Sequence, residues 1–218
     1  MRRIIAIDGP SGAGKSTIAK LIAKELGFDY LDTGALYRAV AIALIKSGIE
    51  PEDSDEKIRG TFMRNTISFT NGRVFLDGKD VSDEIRSTEI DHYSSVFSTR
   101  KVVREFLFDI QRDYASQNDI VVEGRDATTV VFPEAWKKIY LDATVEERAR
   151  RRYLQYKEKG LDISIEEAMS EVIERDKRDS NRDIAPLKKA DSAFMIDSTN
   201  LSIERVKEKI LNFIGAKA

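Results

Sequence analysis

The sequence predicts an α/β fold in which about five parallel strands are doubly wound by helices on both faces. Three observations point there. Short apolar runs alternate with helical patterns along the chain. The first run feeds through a glycine-rich turn into a helix. Later runs end in short polar motifs of the kind found at the carboxyl edge of an open parallel sheet.

The first element is the buried strand Ile4-Ile5-Ala6-Ile7. It leads into Gly9-Pro10-Ser11-Gly12-Ala13-Gly14-Lys15-Ser16, and Ile18, Leu21, Ile22 and Leu26 then share one helical face. A G-x-x-x-x-G-K-[ST] run between a strand and a helix is a P-loop. Its glycines let backbone N–H groups close around a phosphate chain, and the helix N-terminus adds partial positive charge. Gly9 through Thr17 therefore predict a site for the phosphates of ATP, with Lys15 reaching the β- and γ-phosphates. The Ser16 hydroxyl is the predicted ligand of Mg²⁺.

The short strand Phe28-Asp29-Tyr30-Leu31 ends in Asp32-Thr33-Gly34, which opens a helix running to about Ser47. Arg38, in its first turns, suits either a solvated helix face or an anion. Pro51 to Glu56 closes this unit. Thr66-Ile67-Ser68-Phe69-Thr70 then alternates, Asn71-Gly72 and Asp77-Gly78 are hairpin signals, and Val74-Phe75-Leu76 is apolar. A small antiparallel insert at 62–84 is predicted, either decorative or covering a substrate.

Ser82 to Ser98 reads as short helices. Thr99 to about Ser116 is a helix whose apolar face is Val102, Val103, Phe106, Leu107 and Ile110, with Arg104 off that stripe. The strand Ile120-Val121-Val122 ends in Glu123-Gly124-Arg125-Asp126, where an acidic group would face bound phosphates. An ordinary turn with an Arg–Asp ion pair is the alternative. Lys138-Ile139-Tyr140-Leu141 is a further strand, and Thr144 with Glu147 predicts a capping box for the next helix. That helix carries Arg148, Arg150, Arg151 and Arg152, as a solvated face or as an arginine-bearing lid at about 148–163. Ser164 with Glu167 is a second capping box. Arg175, Asp179 and Arg182 fall along one face of the helix it opens, suiting a phosphorylated, hydroxylated ligand or a surface ion-pair row. Phe194-Met195-Ile196 is the last strand. Ser202 caps a final helix with Ile203, Val206, Ile210 and Phe213 inward.

Composition narrows the function classes. The 36 basic and 38 acidic residues give a net charge of −2, against a general nucleic-acid binder. With no cysteine, thiolate catalysis and cysteine zinc sites are excluded, and a single histidine, His92, counts against a His-based metal site or a Ser-His-Asp triad. No signal-type segment or bilayer-spanning run is present, so a cytoplasmic protein is expected, with nothing demanding more than a monomer. Charged residues at 34% hint at a heat-adapted surface. A GTPase-like switch would need an Asn-Lys-x-Asp run, which the sequence lacks.

Taken together, the P-loop, Leu31-Asp32-Thr33-Gly34-Ala35-Leu36-Tyr37-Arg38, Glu123-Gly124-Arg125-Asp126 and Arg175 through Arg182 with Ala185-Pro186-Leu187 resemble the bacterial cytidylate kinases. The resemblance runs in order over nearly the whole chain. It implies transfer of the γ-phosphate of ATP to CMP or dCMP by a core (1–61 and 85–218), a nucleotide-monophosphate-binding insert (62–84) and a helical lid. It implies that Arg38, Arg125 and Arg182 hold the CMP phosphate and that Ser95, Arg104 and Asp126 read cytosine. Arg175 and Asp179 would clamp the ribose, with Thr33 near the base or sugar. Lys15, Arg125 and the lid arginine Arg151 are the implied catalytic residues. The family commonly has Gly-Arg-Asp-x-Gly-Thr, whereas this chain has Gly124-Arg125-Asp126-Ala127-Thr128-Thr129. A backbone needing φ > 0 at Thr128 would oblige that loop to differ. Other small-metabolite P-loop kinases, a nucleotide-dependent regulator and an RNA-binding module are the competing readings.

Overall fold

A computed structural model describes residues 2–70 and 72–216. Its central sheet has the order β2-β6-β1-β7-β8, all parallel. These strands are Ile4–Asp8 (β1), Asp29–Asp32 (β2), Ile120–Gly124 (β6), Lys137–Asp142 (β7) and Phe194–Asp197 (β8). β1 lies in the middle and is apolar on both faces, as a strand covered on both sides must be. Ile5 and Ile7 point to one face and Ala6 to the other.

Helix α1 (Lys15–Leu26) and the last helix, α8 (Ile203–Ile214), cover the face of Ile5 and Ile7. Ile18 and Ile22 meet Val206 and Ile210 there. Ile203, expected inward, is 47% exposed in the first turn, and Leu211 and Ile214 join the buried side of the final turns. The other face is covered by α2 (Thr33–Lys46) and by the helix Lys101–Gln117, which is α5. Between them lies α3 (Asp55–Phe62), capped by Ser54, in a stretch read from sequence only as the polar end of a unit. Ile58 supplies its buried anchor, and Phe62 stacks on Phe106 with ring centroids 4.2 Å apart.

The three strands Ile67–Thr70 (β3), Arg73–Leu76 (β4) and Lys79–Asp80 (β5) form a separate antiparallel sheet. Ile67, Phe69, Val74 and Leu76 alternate with the exposed Ser68, Thr70 and Arg73 and the half-buried Phe75, and join the core around α2. The turn between β4 and β5 is the predicted Asp77-Gly78. Both residues have positive φ (51° and 76°), the hairpin geometry whose twist matches the strands. Of the Asn71-Gly72 signal, Asn71 lies outside the described residues.

Helix α4 (Thr88–Phe97) follows the insert, and α6 (Val145–Glu158) and α7 (Ile165–Asn181) form an antiparallel pair over the carboxyl edge of the sheet. The Ser164–Glu167 capping box is complete. Thr144 caps α6, but the Glu147 carboxylate does not reach back to complete a box. It binds Arg150 and Arg151 instead, whose guanidinium groups outcompete a single backbone N–H. Among the described residues no helix is long and apolar enough to cross a membrane.

Candidate active site

The loops after β1, β2 and β6 end on one side of the sheet, and α4, α6 and α7 close over them. A cavity of about 380 Å³ lies between, lined from Ser11 and Lys15 at one end to Arg104 and Asp126 at the other. Ligands of open parallel sheets bind at this carboxyl edge, where the strand order reverses about β1.

At the first end the P-loop is made by backbone. Gly9 (φ 153°) leaves no room for a side chain, since a Cβ there would sit 1.9 Å from the Leu141 carbonyl oxygen. Gly12 (φ 79°) is the next tightest, a Cβ there lying 2.9 Å from the Arg148 Cβ and carbonyl oxygen. Arg148 is buried and donates to the carbonyls of Ser11 (3.1 Å) and Ala143 (2.9 Å), balanced by Asp176 at 2.6 Å. Arg151 donates to the Ala13 carbonyl (3.2 Å) and to Ser198. The structure thus sets Arg148 and Arg151 against the loop's carbonyls, while Arg152 lines the cavity. Lys15 is buried and donates to the Pro10 carbonyl at 2.7 Å. Burial and the nearby Arg125 push its ammonium down to about 7. A buried cation beside a carbonyl cradle is what an incoming polyphosphate would recharge.

The floor is held by carboxylates. The Tyr30 hydroxyl donates to Glu123 at 2.5 Å, and Thr33 donates to the Glu123 carbonyl at 2.8 Å. Asp8, fully buried, accepts from the Ala127 N–H (2.9 Å) and from the N–H and hydroxyl of Thr128 (2.7 and 2.6 Å). Burial pushes its carboxyl up to about 6 against those hydrogen bonds. Residues Ala127–Val131 form one π-helical turn. Among the described residues the non-glycine positions with positive φ are Asp77 and Ala185, so Thr128 is unstrained and its hydroxyl ties the loop to β1. The loop therefore has no need of a glycine there.

At the far end the predicted residues converge. Arg104, buried off the apolar stripe of α5, pairs with Asp126 and donates to the Ser98 carbonyl at 3.1 Å. It also lies 5.4 Å over the Tyr37 ring. Tyr37 is half-buried, and the loss of water around its phenol pushes it up to about 12 and keeps it neutral. Arg182 Nη2 is 3.5 Å from Asp126 and has no hydrogen-bond partner although buried. Arg125 pairs with Asp179 at 2.8 Å. Burial would raise the Asp179 carboxyl, but Arg125, Arg175 and Arg182 outweigh it and hold it low. The Ser95 hydroxyl accepts from Arg178 at 3.0 Å. Thr33, Arg38 and Arg175 line the same cavity. So the ion-pair and ligand readings of these motifs coincide: the pairs form, and they form in the wall of a cleft.

Sequence reasoning gave no role to Tyr37 and Asp91, which line the cavity, or to Arg178, which reaches Ser95 at its edge. Tyr37 sits inside a quoted motif without a role. Arg178 lies between the two residues of α7 singled out as a clamp. Asp91 falls in a polar stretch without motif spacing, and only the fold brings it to Arg38, Arg152 and Arg175. His92 is exposed.

Comparison with known proteins agrees with this arrangement. The sequence model of the cytidylate kinase family matches residues 5–216. The cytidylate kinase of Thermodesulfovibrio yellowstonii is 52% identical over 222 residues, covering 100% of both chains. That of Thermosipho melanesiensis is 51% identical and covers 98% of this chain and 97% of its own. An uncharacterized protein from Eubacterium ventriosum superposes with a TM-score of 0.52 at 13% identity, covering 99% of this chain and 100% of that one, a likeness of fold alone. With its motifs in place along one cleft and a match that spans nearly its whole length, this chain belongs to the cytidylate kinase family.

Proposed function

We propose that this protein transfers the γ-phosphate of MgATP to CMP or dCMP, giving CDP or dCDP. The observation that carries the reading is that one cavity joins a P-loop to a buried Arg104–Asp126 pair.

The P-loop from Gly9 to Thr17 suits the ATP phosphates. Its glycines leave a cradle that a Cβ would fill, and Lys15 lies buried at its mouth. Ser16, exposed in the first turn of α1 with Glu123 across the floor, suits Mg²⁺. When bound, the ion would neutralise charge on the β- and γ-phosphates. Arg38, Arg125 and Arg182 would take the acceptor phosphate, and the unpartnered Arg182 Nη2 gives that group a donor. Arg175 and Asp179 would hold the ribose, with Thr33 beside it.

In the reaction a CMP phosphate oxygen bonds to the γ-phosphorus as the bond from that phosphorus to the β-phosphate oxygen breaks. The acceptor is already an anion near neutral pH, so no protein base is required. Lys15 and the arginines supply positioning and charge neutralisation. Arg151 would act by holding the P-loop and Arg125 by touching the acceptor phosphate. For the base, Asp126 and Ser95 accept from the cytosine amino group while Arg104 donates to O2 and N3. UMP offers a carbonyl oxygen where the amino group would be, leaving buried acceptors unpaired.

We assign the core to 1–61 and 85–218, the acceptor-covering insert to 62–84 and the lid to about 148–163. Closure of lid and insert would exclude water as a competing acceptor. A cysteine-free chain suits the cytoplasm, and the reaction as written needs one copy of the chain.

The test is turnover with MgATP against CMP, dCMP, UMP, AMP and shikimate. Selective use of CMP and dCMP is expected. Preference for another acceptor would make this a different P-loop kinase, and nucleotide binding with no acceptor turnover would make it a regulator.

A further inference from the structure

Asp91 stands in the wall of the cleft, outside every motif of the sequence, yet it gathers arginines from three helices. Its Oδ1 accepts from Arg38 Nε (3.1 Å) and Nη2 (2.7 Å) of α2. Its Oδ2 accepts from Arg152 Nη2 (2.5 Å) of α6 and Arg175 Nη1 (2.7 Å) of α7. Four donors saturate the acceptor sites of a carboxylate. Its side chain is 13% exposed. Burial would push the carboxyl up, but Arg175, Arg38 and Arg152 hold it well below the usual carboxylate range.

The edges that these arginines do not spend on Asp91 are what matter. Arg38 commits its Nε–Nη2 edge, while its Nη1 lies against the glycine that opens α2: a Cβ on Gly34 would be 3.0 Å away. Arg175 keeps a buried Nε without a hydrogen-bond partner. Arg152 is steadied further by the Tyr156 hydroxyl at 2.8 Å, which donates in turn to Glu171 at 2.7 Å. Two carboxylates, Asp91 and Glu171 (4.0 Å from Arg152 Nε), against three guanidinium groups still leave the cluster positive. An anion that merely blocked the cleft would use up these donors. Asp91 leaves some of them unspent, and all three arginines still line the cavity.

We propose that Asp91 is a positioning residue for the acceptor: it grips Arg38, Arg152 and Arg175 by one edge each and so aims their remaining N–H groups at the phosphate and ribose of the incoming monophosphate. It also ties α6 to α2 and α7 before any nucleotide arrives. The inference rests on the cytidine monophosphate reading of the cleft and deepens it. The energetic logic is that of preorganisation. Three long, flexible cations are fixed at folding, so their ordering is not charged against substrate binding.

The experiment is steady-state kinetics and calorimetric titration of CMP and of MgATP on the full chain and on Asp91→Asn, which keeps the shape and removes the charge. KM and Kd for CMP are expected to rise by roughly tenfold or more, as for loss of a charged hydrogen-bond acceptor, with those for MgATP within about twofold. Asp91→Glu retains the charge but displaces it, and is expected to fall between the two. Unchanged CMP binding in Asp91→Asn overturns the proposal, as does tighter binding, which would mark Asp91 as a competitor of the phosphate. A parallel loss for CMP and MgATP would show a merely structural role and also overturns it. Should Asp91→Asn fail to fold, Asp91→Glu carries the test: several-fold weaker CMP binding at constant MgATP affinity supports the proposal, and wild-type CMP binding overturns it. If the unmodified chain does not use CMP at all, the functional reading fails instead.

Discussion

The P-loop end of the cleft, the proposed donor end, is made of backbone, and the Asp126 end, the proposed acceptor end, is made of charges. At the donor end, three P-loop glycines take positive φ, and Arg148 and Arg151 hold loop carbonyls from behind. Lys15 lies buried at its centre. At the acceptor end, Arg38, Arg104, Arg125, Arg175 and Arg182 are paired with Asp91, Asp126 and Asp179. A backbone cradle fits any polyphosphate chain, because every nucleoside triphosphate presents the same oxygens. A web of side-chain charges can discriminate, because each pair must be re-partnered by a ligand with matching donors and acceptors. Selectivity in this protein should therefore reside at the acceptor end and turnover should depend on both.

Removing the titratable cation buried in the P-loop should have the largest effect. Lys15→Ala is expected to lower kcat by at least about a thousandfold, with the thermal midpoint unchanged or higher, since it deletes a buried charge. Near-normal kcat would mean that the P-loop is not the donor site. Arg151→Ala probes the frame behind that cation. Because Arg151 binds Ala13 and Ser198, its loss should raise KM for MgATP about five- to tenfold and lower kcat less. The reverse pattern, a large fall in kcat at constant KM, would move Arg151 into contact with the transferring phosphate.

A subtler probe is the charge on Lys15 itself. With its ammonium pushed down to about 7, free enzyme at pH 8 is largely neutral there, and bound phosphates should restore the proton. MgATP binding at pH 8 is then expected to take up protons, measured by calorimetry in buffers of different ionisation enthalpy. Lys15→Arg, charged throughout, should take up none. Equal uptake by both would place the titrating group elsewhere.

The smallest effect is expected where the chain departs from its family. Thr128→Gly removes one hydrogen bond to Asp8 and adds chain freedom, so unfolding free energy should drop by about 1–2 kcal/mol while the CMP-to-UMP ratio stays constant. The Asp8 carboxyl is raised from 3.8 to about 6, so its favourable contribution is fully present below about 3.8 and is lost as pH rises through 6. Denaturant unfolding between pH 4 and 7 should show that decline in the wild type and lose it in Asp8→Asn. A changed substrate ratio in Thr128→Gly would tie the loop to base reading after all.

How much of this was legible in the sequence follows the same division. The P-loop, Asp32-Thr33-Gly34 and the Ser164–Glu167 cap are local patterns, each set by neighbours within a few residues, and the structure has them where the pattern put them. Arg104 and Asp126 were legible as a pair through family resemblance, not through spacing, because 22 residues and a strand separate them. Asp91 was not legible, since its partners stand 53, 61 and 84 residues away and no local rule links an acidic residue in a polar helix to them. The run Arg148–Arg152 misled in detail. The sequence offered the run only as a solvated face or a lid, and packing separated Arg148 and Arg151, which hold the loop, from Arg152, which faces the cleft.

The most direct test of the account is the ratio of kcat/KM for CMP to that for UMP, measured in the wild type and in Asp126→Asn, with MgATP affinity followed in parallel. If the acceptor end reads the base through Asp126, the wild type favours CMP strongly. Asp126→Asn, whose amide can donate to the uracil carbonyl, should bring the ratio down by roughly a hundredfold at constant MgATP affinity. A ratio unmoved by the substitution would contradict the account and place base selection outside the Arg104–Asp126 pair.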